Sequence, residues 1–136
     1  LEVKLKAEGE QVRFFNPADY GVGFVANSVV TSGEMMKKHP ETVKAFISAL
    51  LSAWEFAVDP ANQNLVLAQI RKKDKNTKDH IREKQLTATR PLIKPGPETV
   101  VGTIDVRAWE QTESIMVKEK LVAAPVNVKA CLIQVR

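Results

Sequence analysis

Two histidines, His39 and His80, and a single cysteine, Cys131, carry the strongest intrinsic chemistry in this chain of 136 residues. They are too scattered to act together. A tetrahedral metal site needs several N or S donors at short, recurrent spacing. Neither histidine has a cluster of Cys, Asp or Glu beside it, so no metal is expected. His39 precedes Pro40 and reads as a helix boundary; His80 lies in a basic stretch and reads as solvated. Cys131 cannot close an intrachain disulfide and has no neighbouring base, so it is expected as a buried, inert thiol. There is no G-x-S-x-G. Gly21 and Gly23 reach neither a third glycine nor a GK[ST], so no phosphate loop is expected. Paired carboxylates assemble in space rather than in sequence, and nothing singles out a pair. The expectation is a protein without catalysis and without a cofactor.

Charge is the next candidate. The net charge is +4 and the pI about 9.3, but the surplus sits in one place. Residues 71–94 hold nine Lys/Arg against three acids (Asp74, Asp79, Glu83), which leaves the rest of the chain slightly acidic. A basic segment can neutralise phosphates. This one has no aromatic side chain for base stacking, and its interleaved acids fit a solvated helix face. No nucleic acid is expected. A protein contact or a membrane surface is the alternative use of the stretch, with Arg90 and Lys94, beside a proline-rich turn, as its least committed charges.

The elements that would position functional groups follow from periodicity. Val3, Leu5 and Ala7 alternate with Glu2, Lys4 and Lys6, the period of a half-buried strand. Val12, Phe14 and Phe15 form a second run ended by Asn16-Pro17. Val22–Val30 is nearly continuous and rich in β-branched residues, which predicts a strand buried on both faces. After it the pattern turns helical. Thr31 or Ser32 can cap a short helix over 34–38. Pro40 fits the first position of the next. Val43, Phe46, Ile47, Leu50, Leu51, Trp54 and Val58 then form one apolar stripe that stops at Asp59-Pro60. A helix over 63–72 is expected to turn Leu65 and Ala68 inward, with Val66 and Ile70 as further candidates. One from Thr77 to about Thr89 uses Ile81, Leu86 and Ala88 and is ended by Pro91. Lys94-Pro95-Gly96-Pro97 is a break. Asp105 caps a last long helix with Val106, Trp109, Met116 and Leu121 inward, closed by Pro125. The tail 126–135 reads as a short helix or strand. No stretch approaches the roughly 20 apolar residues of a membrane span.

Several of these residues recur in an ordered set. Asp19-Tyr20-Gly21 leads to the apolar segment with Asn27, then Thr31-Ser32. Lys38-His39-Pro40-Glu41-Thr42-Val43-Lys44-Ala45-Phe46 follows, with Ala49, Ala53 and the Asp59-Pro60 stop. Gly102, Asp105, Trp109 and the close from Lys120-Leu121-Val122 to Pro125-Val126 complete it. The set resembles the NMT1/THI5-like solute-binding proteins, the relatives that serve nitrate, sulfonate, taurine and pyrimidine uptake, and the resemblance runs over most of residues 12–128. Trp54-Glu55 departs from it, since a glycine is common there.

The resemblance implies an α/β, helix-rich architecture: a partial periplasmic-binding-protein type II fold, with a few N-terminal strands followed by four to five helices. Residues 1–136 would be one domain, the C-terminal fragment of a two-lobed protein, with 1–30 the strands and lobe crossover and 31–136 the helical part. Ligand would lie between lobes that close by a hinge motion. Asp19, Tyr20, Asn27 and Ser28 are then the candidate ligand-binding residues. The plainer alternative is that Asp19 and Tyr20 shape a turn and Asn27 bonds its own backbone. The implied function is the solute-binding component of an ABC-type importer for a small anionic or heteroaromatic nutrient such as a sulfonate, nitrate or thiamine pyrimidine. It would be periplasmic or extracytoplasmic, with an ABC permease as partner. Uncovered apolar surface on a fragment would favour self-association. Two other classes stand beside this one: a helical protein-interaction module derived from the same fold, and a relative of thiamine-pyrimidine biosynthesis.

Overall fold

The computed structural model describes residues 2–25 and 27–134. They form seven α-helices and two short 3-10 turns, with no strand among the described residues. The helix-rich expectation holds. The helices are α1 (Glu2–Ala7), α2 (Gly33–Lys38), α3 (Pro40–Val58), α4 (Gln63–Lys73), α5 (Asp79–Ile93), α6 (Val106–Lys118) and α7 (Val128–Cys131). The chain divides into two compact units: Leu1–Phe14 with Ser48–Gly102, and Phe15–Ile47 with Thr103–Arg136.

The first unit begins with a correction. Its N-terminal segment alternates like a strand but is α1. Leu, Lys, Glu and Ala are strong helix formers. Glu2 and Lys6, one turn apart, pair at 2.6 Å. α1 packs on α5, which buries part of Val3, Leu5 and Ala7 without any sheet. The helix ends in a turn at Gly9, which takes a left-handed φ of 89°.

Leu67, Ile81, Leu86 and Val101 are the buried apolar residues of this unit. On α4 Leu67 is the buried residue and Leu65 stays exposed, whereas Val66, Ala68 and Ile70 are half-buried, as expected of them. α5 runs through Pro91 to Ile93 rather than stopping before it. Ala88 is exposed rather than inward.

Arg90 is not uncommitted. Its Nη1 donates to Gln63 Oε1 at 2.9 Å and its Nε to the Ala57 carbonyl at 3.3 Å, tying α5 to the end of α3 and the start of α4. Asp59 accepts from the Ala61 amide at 2.8 Å and fixes the proline stop.

The turn between α4 and α5 is a small polar framework. Asp74 Oδ1 accepts from the amides of Asn76 and Thr77, both at 3.1 Å. Arg71 grips Asp79 through two bonds, at 3.1 and 2.8 Å. Arg82, only 5% exposed, donates to Asp79 Oδ1 and to the Asp74 carbonyl.

The bonds from Thr77 hold the Asp74 carboxyl below the usual range, and the Arg71 guanidinium does the same for Asp79. A carboxyl depressed by folding stabilises the fold above its unfolded pKa of about 4, and that stabilisation is lost as pH falls through the lowered folded value. Acid titration of the helical circular dichroism should therefore show this turn loosening below about pH 4. Asp79→Asn should flatten the pH dependence of the melting midpoint in that range; an unchanged slope would remove Asp79 from the account.

In the second unit, Val128 and Thr112 are buried and α6 packs on α7. Ser32 caps α2 by accepting from the Met35 amide at 3.0 Å, and Asp105 caps α6 by accepting from Ala108 at 3.1 Å, both as their positions predict. α6 stops at Lys118, short of Pro125, where Lys120 takes a φ of 57°. Leu121 is 68% exposed, not inward. The tail contains the short helix α7, but Cys131 at its end is exposed rather than a buried thiol. The tail's last expected residue, Val135, lies outside the described residues.

Candidate functional site

The expected site residues lie in the second unit on a turn and the irregular segment after it. Pro17–Tyr20 is a 3-10 turn. Asn16 builds it: its Oδ1 accepts from the Ala18 amide and its Nδ2 donates to Asp19 Oδ1, both at 3.2 Å. Gly21 ends the turn at a φ of 77°, a conformation that disfavours a Cβ. Asp19 therefore has a structural partner within its own turn. Tyr20 is 70% exposed.

Residues 22–30 were expected as a strand buried on both faces. Ala26 lies outside the described residues; the others form neither helix nor turn and have no ladder partner. Phe24, Val29 and Val30 are exposed. Two side chains of α6 replace part of the missing ladder. Gln111 Nε2 donates to the Gly21 carbonyl at 2.7 Å. Thr112 Oγ1 accepts from the Val25 amide at 2.9 Å and donates to the Ala108 carbonyl at 2.8 Å. Gly23 permits the close passage, because a Cβ there would lie 2.6 Å from Gln111 Oε1.

Asn27 and Ser28 follow on the same segment and are exposed. No side-chain hydrogen bond of Asn27 occurs among the described residues. Asp19 and Tyr20 share one turn, Asn27 and Ser28 one segment, and no hydrogen bond joins the pairs.

Gln111 and Thr112 are the positioning residues that motif reading did not single out. Thr112 was detectable. It lies three residues after Trp109 and four before Met116, on the inward stripe of α6. A hydroxyl on such a stripe must find partners. Thr112→Val should remove the partner of the half-buried Val25 amide at a loss of about 0.5–1.5 kcal/mol. Amide hydrogen exchange at Val25 should accelerate; unchanged protection would show that Thr112 does not pin the segment.

No group of three or more His, Cys, Asp or Glu among the described residues can hold a metal. A shallow, open depression of about 530 Å³ is lined by Lys6, Glu10, Gln11, Val12 and Arg13, none of which belongs to the expected site. No helix among the described residues is long and apolar enough to cross a membrane.

Comparison with known proteins supports the family indicated by the residue pattern. Residues 2–63 match the family described as NMT1/THI5 like. The chain is also similar to the formylaminopyrimidine-binding protein of Halalkalibacterium halodurans, at 27% identity over 113 residues, covering 81% of this chain and 34% of that protein. It thus spans about a third of the length of the curated relative it matches. No solved structure gives a significant match.

Proposed function

We propose that this chain is part of a non-catalytic solute-binding protein of the NMT1/THI5-like family, and that the complete protein captures a small heteroaromatic solute of the aminopyrimidine class for an ABC-type importer outside the cytoplasm. The observation that carries the reading is the similarity to a formylaminopyrimidine-binding protein across most of the chain. It narrows the expected range, in which sulfonate and nitrate stood beside pyrimidine. In this reading 22–30 is the lobe crossover of a type II fold, and the part of its backbone that Thr112 does not hold meets a sheet supplied by the rest of the protein. Asp19, Tyr20, Asn27 and Ser28 face the cleft. The Tyr20 ring offers a stacking surface. The carboxylate and the amide offer acceptors for ring amino groups.

A thermal-shift panel tests this on the product of the whole gene, with any coding sequence that precedes or follows these residues. A formylaminopyrimidine should raise the melting temperature, while taurine and nitrate should not. A shift with taurine or nitrate alone would overturn the pyrimidine assignment.

A specific observation also favours self-association of the isolated chain. The described residues bury only Leu67, Ile81, Leu86, Val101 and Val128 among their large apolar side chains, while Phe14, Phe15, Phe24, Phe46, Trp54 and Phe56 are exposed. Apolar surface on that scale is unusual for a monomer. Sedimentation equilibrium should give a mass that rises with concentration. A concentration-independent monomer would contradict the proposal.

A further inference from the structure

We propose that the turn between α4 and α5 is a docking surface for an anionic phospholipid bilayer. Lys72, Lys73, Lys75 and Lys78 fall within seven consecutive residues, and all four are exposed. Their charge is only partly offset locally. Asp79 is paired with Arg71 and Arg82, and Asp74, held ionised by the amides of Asn76 and Thr77, is a single negative charge against the four lysines. None of the four lysines forms an ion pair among the described residues. Lys72 reaches only the neutral Gln69 Oε1, at 3.3 Å.

The division of labour between the two kinds of cation points to the partner. The three arginines of α4 and α5 have fixed partners within the unit: Arg71 on Asp79, Arg82 on Asp79 and the Asp74 carbonyl, and, at the far end of the pair, Arg90 on Ala57 and Gln63. Arg is the residue suited to bidentate, geometrically fixed recognition; Lys is a hydrated point charge on a flexible stem. Protein interfaces are enriched in Arg and aromatics and depleted in Lys. Single-stranded nucleic acid calls for stacking aromatics, and residues 71–94 have none. A mobile array of anionic headgroups needs only clustered, flexible positive charge.

Lys78 adds a second observation. It occupies the N-cap of α5 without any side-chain cap bond. Folding favours Ser, Thr, Asp or Asn at that position, and a cation there opposes the positive end of the helix dipole. A position that breaks a local folding rule without a structural gain is where function is to be sought.

The test is co-sedimentation of the purified chain with vesicles of phosphatidylglycerol and phosphatidylcholine in equal parts, and with pure phosphatidylcholine. The chain should bind the first at low salt, ignore the second, and release at about 0.5 M salt, where screening shortens the reach of charge to ~4 Å. Each lysine near the surface contributes about fivefold. The variant K72Q/K73Q/K75Q/K78Q should therefore bind on the order of several hundredfold more weakly, with unchanged circular dichroism. A control with equal charge removed elsewhere, K37Q/K44Q/K118Q/K120N, should keep most of the binding. Equal losses in the two variants would reduce the effect to net charge and overturn the proposal. Absence of binding to anionic vesicles, or tighter binding to an acidic polypeptide or to nucleic acid than to the vesicles, would overturn it as well.

Discussion

Gly102→Ala is expected to lower the unfolding free energy by about 2–5 kcal/mol, the sum of two separable terms. Gly102 has a φ of 84°, and a side-chain-bearing residue in the left-handed region loses about 1–2 kcal/mol. The new methyl would also meet Leu51, 2.3 Å from Cδ2, 3.0 Å from Cδ1 and 3.2 Å from Cγ. Rotating the end of the leucine relieves the first contact but not the third, so the side chain must move as a whole; overpacking of this kind costs about 1–3 kcal/mol. A double-mutant cycle separates the terms. In a Leu51→Ala background the clash vanishes and the backbone strain stays, so Gly102→Ala should there cost about half as much. An equal cost in both backgrounds would show that Leu51 is not the obstacle. Against a total stability of about 5–15 kcal/mol for an ordinary domain, the wild-type background loses a large share.

Arg82→Ala is the second large effect, expected at about 2–4 kcal/mol. The side chain is almost wholly enclosed, yet the carboxylate it meets is 56% exposed. Removing a partner from a fully buried pair strands a charge and is worse; here the group left behind is solvated, so that penalty is largely absent. What disappears is the packing of the buried methylenes, about 0.8 kcal/mol each, and the charge-assisted bond to the Asp74 carbonyl. Arg82 Nε has no partner among the described residues, which already lowers the net value of keeping the guanidinium inside. Arg82→Met tests this division. It restores the methylenes without the charge and should recover about half of the loss. If Met is no better than Ala, the hydrogen bonds dominate and the packing estimate is wrong.

The contrast between these two residues shows what sequence makes legible. Gly102 was visible as a member of an ordered residue set, but its constraint is a contact with Leu51, far away in the chain, and no spacing rule reaches it. Arg82 was read as one charge in a solvated stretch because charge counting ignores which face of a helix a residue occupies. Its position one turn before Leu86, on the inward stripe, held the signal. Helix boundaries set by chemistry were readable: Ser32 and Asp105 as caps, Pro40 as a first residue, Asp59-Pro60 as a stop. The strands were not. Val3, Leu5 and Ala7 alternate, yet the helix-forming residues between them and a face on α5 decide for α1. The 22–30 segment has strand composition, but a strand is defined by a neighbour, and Thr112 of α6 takes the Val25 amide while Gln111 holds the Gly21 carbonyl just before it. The candidate site was legible as four residue types in order and no further. Asp19 and Tyr20 fall in one turn as their sequence predicts, whereas the pinning side chains come from ninety residues away.

Titration calorimetry of the product of the whole gene with a formylaminopyrimidine, beside its Tyr20→Ala and Asn27→Ala variants, tests the central claim most directly. The account predicts saturable one-to-one binding by the wild-type protein, weakened at least tenfold in each variant while the melting temperature without ligand stays the same. Saturable binding that neither variant disturbs would remove the turn and extended segment from the site. No binding of any aminopyrimidine by the wild-type protein would contradict the proposed function itself.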